Sequence, residues 1–256
     1  MNEQLFANKA RIYHNYRPSY PAGFIDYLYT IEDFSENSII ADIGSGTGIF
    51  SKLLLERGSC VYCVEPNDDM RSVAEKELSG FSGFVSINAP AEYTGLVKNS
   101  IDFVTTAQAF HWFNKDKFRY ECCRILRSGG KVVIIWNSRD FSSEIVKADY
   151  ETRKKYSIGE AKCISSAENP IYDVKGFFND DKFEEMTFSN DLLLNRDTYI
   201  GMNLSRSYSP TEEKEPEKYL ALVAALGEIY DNYNNDGILL YPHVSKVYIG
   251  AITAFS

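Results

Sequence analysis

The sequence predicts an α/β fold with a doubly wound, seven-stranded, mostly parallel sheet and a helical cap. Runs of apolar, β-branched residues alternate with amphipathic helical patterns as far as Asp140. The apolar runs are nearly continuous, as expected for parallel strands that helices cover on both faces. Hydrophobic residues make up 44% of the chain and charged residues 25%, which is typical of globular proteins.

Five runs of strand length form the predicted parallel part of the sheet, at residues 38–43, 60–65, 84–88, 101–106 and 131–137. Helical patterns lie between them at residues 48–57, 68–78 and 114–126, and a further helix precedes them at residues 21–29. Ser128, Gly129 and Gly130 end the helix that leads into the fifth strand.

Beyond Asp140, a polar region with scattered aromatic residues predicts a mostly helical cap over residues 141–180. A strand is predicted at residues 183–188, a helix at 216–232, a turn at the NNDG sequence and one final strand at 238–252. The last two strands are expected to extend the sheet edge. We therefore predict one domain over residues 1–256, made of an arm and helix (1–37), a cofactor-binding core (38–140), the cap (141–180) and closing strands and helices (181–256).

Charge and hydropathy exclude several classes of partner. The net charge is −9 and the pI is about 5.0, which gives no electrostatic footprint for a phosphate backbone, so we expect no nucleic acid partner. The longest apolar run is far shorter than the roughly 20 residues that cross a bilayer, and the N-terminus has no signal-peptide pattern. We expect no membrane partner and a cytoplasmic location.

The cysteine pattern predicts neither a disulfide framework nor a metal site. The chain has 5 cysteines, an odd and sparse set. Cys60 and Cys63 form a CxxC pair, but strand alternation directs their side chains to opposite faces, and no second CxxC or nearby His pair completes a zinc site.

The sequence DIGSGTG indicates a ligand-binding turn. The first strand ends at Ile43 and the next helix begins near Gly48, which leaves Gly44, Ser45 and Gly46 in the turn. Glycine permits positive φ and lets the main chain approach a ligand closely. The GxGxG spacing, preceded by Asp42, differs from the GxGxxG of dinucleotide folds.

Glu65 strengthens this interpretation, because it lies at the end of the neighbouring strand, beside the glycine turn. A carboxylate at that position can accept hydrogen bonds from both hydroxyls of a ribose. An alternative is that Glu65 only caps the helix that follows.

Over residues 38–140, the chain resembles the class I S-adenosylmethionine-dependent methyltransferases. ADIGSGTG matches their first motif, VEPNDDM resembles the second, NAPAEY the third and SIDFVTTAQAFHWF the fourth, and ILRSGGKVVIIWNSRD resembles the strand that follows. The resemblance implies a Rossmann-like methyltransferase fold with S-adenosylmethionine as methyl donor. The cofactor-binding residues that it implies in this region are Asp42, Gly44, Ser45, Gly46, Glu65, Pro66, Met70, Pro90, Ala91, Glu92 and Gln108.

The chain departs from this family at Pro90, where a polar or acidic residue often accepts from the adenine amino group. Proline has no side-chain acceptor, so we expect the Ala91 N–H and the Glu92 side chain to contribute to adenine recognition. By the same resemblance, Pro66 and Met70 line the adenine.

ANKARIYHNYRPSYP and QAFHWF are similar to a narrower branch that acts on small molecules and is related to aconitate methyltransferases. That similarity implies that Arg17 faces the cofactor's carboxylate and that Tyr13 and Tyr16 help to close the pocket. Tyr16, His111 and Trp112 are the predicted substrate residues.

His111 is the predicted catalytic base, because it follows a strand at the sheet edge where open α/β sheets bind ligands. It is needed only if the acceptor arrives protonated. The alternative for His111 and Trp112 is that their side chains only pack against neighbouring residues and have no role in catalysis or substrate binding. His14 and His243 are weaker candidates, and we expect His243 to be structural.

The predicted function is in-line methyl transfer from S-adenosylmethionine to an oxygen, nitrogen or carboxylate of an unidentified small molecule. A nicotinamide-dependent oxidoreductase is an alternative, although the glycine spacing disfavours it. A non-catalytic module that binds S-adenosylmethionine is another.

Overall fold

The computed structural model describes residues 18–158, 174–179, 182–206 and 208–253. The strands are β1 (Ile39–Ile43), β2 (Cys60–Val64), β3 (Phe84–Ile87), β4 (Ile101–Ala107), β5 (Leu126–Arg139), β6 (Glu184–Ser189), β7 (Leu192–Leu194), β8 (Leu239–Tyr241) and β9 (His243–Gly250). The α-helices are α1 (Ala22–Thr30), α2 (Ile49–Leu55), α3 (Asp68–Leu78), α4 (Lys115–Ile125), α5 (Glu144–Tyr156), α6 (Arg196–Leu204) and α7 (Pro216–Tyr233).

The main sheet has seven strands in the order β3-β2-β1-β4-β5-β9-β6. Strands β1 to β5 are parallel to one another, and β9 lies antiparallel between β5 and β6. The predicted fold class is confirmed, including the two closing strands at the edge. The order reverses at β1, and such a reversal opens a crevice at the carboxyl ends of the strands.

The continuous apolar strands bury both faces of the sheet. Ile43 and Val104 pack on one face with helix α4, while Ile40 and Val61 pack on the other with helices α1 and α2. All four side chains are fully buried. This two-sided burial explains why the strands lack the polar alternation of a half-exposed sheet.

The prediction of one final strand over residues 238–252 is wrong. Pro242 separates β8 from β9, and proline has no N–H to continue a ladder. β8 pairs instead with β7 in a separate two-stranded sheet, whereas β9 joins the main sheet. β5 also begins earlier than predicted, directly after α4, with a register irregularity opposite β4 between Ile101 and Phe103.

A second hydrophobic core lies outside the main sheet. Val146 of α5, Tyr199 of α6, Leu226 of α7 and Tyr241 of β8 are fully buried in it. The predicted cap is therefore helical at α5, while α6 was not predicted. From here on, the cap means the assembly of α5, α6, α7, β7 and β8. Residues 159–173 of the predicted cap lie outside the described part of the chain.

The described cysteines Cys60, Cys63, Cys122 and Cys123 are free thiols. Burial raises the pKa of Cys63 and of Cys122, which keeps both protonated near neutral pH. In the part of the chain that the structure describes, no helix has the length and apolarity to cross a membrane.

Candidate functional site

A cavity of about 250 Å³ opens at the carboxyl ends of β1, β2, β4 and β5. Several of the predicted site residues line it together: Asp42, Gly44, Ser45, Gly46, Glu65, Met70, Gln108 and Trp112. The fold thus brings the glycine turn, the acid of the next strand and the end of β4 to one place, which is where open α/β sheets bind ligands.

The glycine turn needs its glycines for two different reasons. Gly44 has φ 69°, and a Cβ built there would lie 2.5 Å from the Ala109 Cβ, so this position admits no side chain. Gly46 has φ 56°, and a Cβ there would meet only the Met70 Sδ, at 3.8 Å. Because Gly46 and Met70 both line the cavity, Gly46 leaves the main chain bare toward it.

The main chain fixes the Glu65 carboxylate. Gly46 N–H donates to Oε2 at 2.9 Å, and Asn67 N–H donates to Oε1 at 2.9 Å. A carboxylate has about four acceptor positions, so about two remain for a ligand. Asn67, rather than Glu65, provides the side-chain cap of α3, since its Oδ1 accepts from Met70 N–H at 2.9 Å.

Asp42 lies beneath the turn and is 1% exposed. Its carboxyl oxygens accept from Ser51 Oγ at 2.5 Å and from Thr105 Oγ1 at 2.8 Å. Burial raises the pKa of Asp42 to about 6, the two hydroxyls oppose that rise, and the negative charge of Glu65 adds to it. Asp42 therefore braces the end of β1 against α2 and β4.

Gln108 has φ 60°, an unusual conformation for a residue other than glycine. Its N–H donates to the Ile135 carbonyl at 2.9 Å, and its Nε2 donates to the Asn137 carbonyl at 3.0 Å. These bonds hold a strained residue between the ends of β4 and β5, and such strain is common at ligand sites.

The structure does not place the other predicted adenine residues on the cavity wall. Pro66 and Pro90 are exposed, and Ala91 is buried in the main core. Glu92 Oε1 accepts from the Asn114 N–H at 2.7 Å, at the start of α4. The adenine assignments therefore stay predictions.

His111 and Trp112 lie on a short 3₁₀ helix, Phe110–Trp112, with their ring centroids 4.9 Å apart. Trp112 is 76% exposed and lines the cavity rim, whereas His111 is exposed and does not line the cavity. The predicted residues Tyr13, His14, Tyr16 and Arg17 lie outside the described residues.

The segment before α1 closes one side of the cavity. Pro18 and Tyr20 line it, and Tyr20 packs edge-on against Phe50 with centroids 5.0 Å apart. Asn137 Nδ2 and Asn190 Nδ2 donate to the Ser19 carbonyl at 3.1 and 2.9 Å. Sequence reasoning missed these contacts, because no local pattern pairs residues so distant in the chain.

Arg206 and His243 also line the cavity and were not predicted as site residues. His243 begins β9, is 4% exposed and lies opposite Arg139 of β5. Arg206 follows α6. His243 was expected to be only structural, yet the cap and β9 bring both residues to the cavity wall.

Residues 41–134 match a family model described as "Methyltransferase domain". An uncharacterized methyltransferase from Mycobacterium tuberculosis is 36% identical over 135 residues, which are 53% of this chain and 53% of that protein. An uncharacterized methyltransferase-like protein from Schizosaccharomyces pombe is 32% identical over 129 residues, or 50% of this chain and 49% of that protein. The chain thus spans about half the length of these curated relatives.

Among solved structures, a protein from Anaeromyxobacter dehalogenans proposed to be a type II methyltransferase superposes with a TM-score of 0.62 at 21% identity. The superposition covers 93% of this chain and 99% of that one. At this identity the likeness shows the fold alone, and it agrees with the seven-stranded sheet described above.

Proposed function

We infer that this chain, whose residues 41–134 match the methyltransferase domain model, transfers a methyl group from S-adenosylmethionine to a small molecule. The observation that carries the proposal is the Glu65 carboxylate, which Gly46 N–H and Asn67 N–H hold at the cavity wall. Its remaining acceptor positions suit the two hydroxyls of a ribose.

Two further observations support the fit of an adenosyl group. Ser45 Oγ is buried at the turn and has no hydrogen-bond partner within the described residues, so a ligand polar atom would satisfy it. Gly46 presents bare main chain to the cavity, with Met70 Sδ beyond it. In the proposed complex, Glu65 binds the ribose while Gly46 and Met70 contact the rest of the nucleoside.

S-adenosylmethionine, when bound, supplies a methyl group already activated by a sulfonium. The chain's own task is then to align an acceptor with that methyl and to exclude water, which can supply roughly 7–11 kcal/mol of the barrier reduction. Gln108 and Asn137, fixed to each other at the ends of β4 and β5, give the cavity a rigid polar wall. Trp112 covers the rim.

A general base is required only for an acceptor that arrives protonated. His111 is our proposed base for that case, since it neighbours Trp112 at the rim. The neutral imidazole of a histidine has a ring nitrogen that is able to accept the proton of an acceptor lying against it.

Calorimetric titration of the full chain with S-adenosylmethionine, S-adenosylhomocysteine and NADH tests the cofactor. We expect both adenosyl compounds to bind and NADH to show no measurable heat. Binding of NADH without either adenosyl compound would overturn the proposal.

Incubation with methyl-tritiated S-adenosylmethionine and fractions of a metabolite extract tests catalysis. We expect enzyme-dependent label in a small-molecule product, absent from boiled enzyme. Tight binding of S-adenosylhomocysteine with no labelled product from any fraction would favour a non-catalytic binding module instead.

A further inference from the structure

The cavity wall includes Arg206, which belongs to a mostly buried cluster with an excess of positive charge. We call it the arginine cluster and define it as Arg139, Asp149, Arg153, Arg206 and the tyrosines around them, which are Tyr199, Tyr208 and Tyr241. Within the described residues it holds three guanidinium groups and one carboxylate.

Asp149 accepts hydrogen bonds from three neighbouring side chains. Arg153 Nε donates to Oδ2 at 2.9 Å, Tyr241 Oη donates to Oδ2 at 2.7 Å, and Tyr199 Oη donates to Oδ1 at 3.0 Å. Arg153 and Asp149 are 1% and 0% exposed, so this pair is removed from water. The single carboxylate is therefore committed to Arg153 and two hydroxyls.

Arg139 and Arg206 have no such pairing. In the part of the chain that the structure describes, neither forms an ion pair with a carboxylate, and Arg139 Nη1 and Arg206 Nε are buried without a hydrogen-bond partner. Burial by itself lowers the pKa of Arg206, but Tyr208, Tyr241 and Asp149 outweigh it and leave the pKa above its ordinary value. Arg206 is thus charged, half-buried as a residue, and incompletely satisfied at its buried Nε.

An uncompensated buried guanidinium is costly, and buried charges in proteins are normally paired. Arg206 and His243 both line the cavity, and His243 lies opposite Arg139 in the β5–β9 ladder. Arg206 is therefore an incompletely paired guanidinium in the wall of the cavity in which the proposed acceptor would lie.

We propose that Arg206, supported by Arg139, binds an oxyanion group of the methyl acceptor, a carboxylate or a phosphate. This inference rests on the proposed function, and it names the substrate class: a small anionic molecule. The planar guanidinium offers parallel N–H donors to an oxyanion, a geometry that a lysine ammonium does not reproduce. The oxyanion would supply the negative charge that the described cluster lacks.

Matched anionic and neutral probes test the proposal. Full-length protein saturated with S-adenosylhomocysteine would be titrated with glutarate or glutaramide, and with glycerol 3-phosphate or glycerol, at constant ionic strength. We expect saturable binding of at least one anion and none of its neutral partner. The preferred anion tells carboxylate from phosphate. Equal responses to the anionic and neutral members of both pairs would overturn the proposal.

Arg206→Gln is expected to weaken binding of the anion at least tenfold while the affinity for S-adenosylhomocysteine stays within twofold. Arg127→Gln is the control, because Arg127 pairs with Asp102 at the opposite edge of the sheet. It should leave both affinities unchanged. Unaltered anion binding in Arg206→Gln would show that the group binds elsewhere.

Arg206→Lys and Arg139→Gln keep the test decisive if Arg206→Gln does not fold. Arg206→Lys retains the charge without the planar fork, so we expect a smaller but measurable loss of anion affinity. If S-adenosylhomocysteine binds and every anion fails, this inference falls while the proposed function stands. If S-adenosylhomocysteine itself fails to bind, the proposed function falls first.

Discussion

At the residue scale, the Glu65 carboxylate is the group on which cofactor binding is expected to depend most. Glu65→Gln keeps the size of the side chain and one acceptor oxygen but removes the charge. Hydrogen bonds to a charged group contribute about 1.5–3 kcal/mol, so we expect roughly 10- to 150-fold weaker binding of S-adenosylhomocysteine in calorimetry.

Glu75→Gln is the matched control for this change. Glu75 lies on the neighbouring helix α3, is 49% exposed and accepts from Ser86 Oγ at 2.6 Å. We expect the affinity of Glu75→Gln for S-adenosylhomocysteine to stay within twofold of that of the unmodified protein. Equal affinities for all three proteins would remove Glu65 from the ribose site.

Asp42 makes the stability of the fold depend on pH in an unusual direction. Its pKa is raised from 3.8 to about 6 by burial, so between these pH values the unfolded chain has released the proton while the folded chain retains it. The unfolded state binds fewer protons in this window, and stability therefore falls as pH rises through it. The full effect is about 3 kcal/mol.

Asp42→Asn removes this titration and is nearly isosteric. Urea unfolding at several pH values from 4 to 6 measures how the free energy of unfolding changes with pH. We expect this free energy to fall more steeply with rising pH in the unmodified protein than in Asp42→Asn, by up to about 1.4 kcal/mol per pH unit. Parallel curves for the two proteins would contradict the raised pKa.

At the element scale, the two glycines of the turn have different roles: Gly46 is expected to contact the ligand, whereas Gly44 is required by packing. Gly46→Ala places a methyl where only Met70 Sδ lies nearby, so the fold should lose only the roughly 1–2 kcal/mol cost of a left-handed alanine. That methyl faces the cavity, and we expect affinity for S-adenosylhomocysteine to fall at least tenfold. Calorimetry and urea unfolding on the same preparation measure the two effects.

Gly44→Ala is the partner variant for this experiment. Its methyl would lie 2.5 Å from the Ala109 Cβ, so overpacking adds about 1–3 kcal/mol to the backbone cost. We expect Gly44→Ala to lose more stability than Gly46→Ala. The reverse order, or an unaltered affinity in Gly46→Ala, would contradict the assigned roles of the two glycines.

The elements that the sequence predicted correctly are those in which one local pattern is sufficient. β1, β2 and β4 are mostly apolar runs, and α3 and α4 begin directly after Asn67 and Asn114, whose side chains cap them. The apolar run over 238–252 misled the prediction, because β-branched residues continue on both sides of Pro242 and mask the break. α6 was missed because it has only 9 residues, too few for a helical period to stand out.

At the scale of the whole molecule, the candidate site joins four parts of the chain that are distant in sequence. The glycine turn and Glu65 were predictable, since consecutive strands of a parallel sheet end at one edge. Tyr20, Arg206 and His243 were not, because their positions depend on how the first segment, the cap and β9 pack on the sheet. A local pattern carries no information on such packing.

Asp149 connects the parts of the cap, and its removal tests how far stability depends on that connection. Its carboxylate accepts from Arg153 of α5, Tyr199 of α6 and Tyr241 of β8. Burial raises the pKa of Asp149, while Tyr241 and the nearby arginines oppose that rise. Asp149→Asn leaves the buried arginines without a counter-charge, so we expect a loss of about 3–5 kcal/mol in the free energy of unfolding.

Asp231→Asn is the control for this last prediction, because it makes the same change at an exposed residue of the cap. The Asp231 side chain is 66% exposed, and its Oδ1 lies 3.8 Å from Arg196 Nε, which is a long distance for an ion pair. An exposed pair of this kind contributes about 0–1 kcal/mol, so its unfolding curve should nearly overlay that of the unmodified protein. Urea unfolding followed by tryptophan fluorescence measures both variants. Equal, small losses in the two would show that the arginine cluster does not need Asp149 as its counter-charge, and that the cap is held by its apolar core alone.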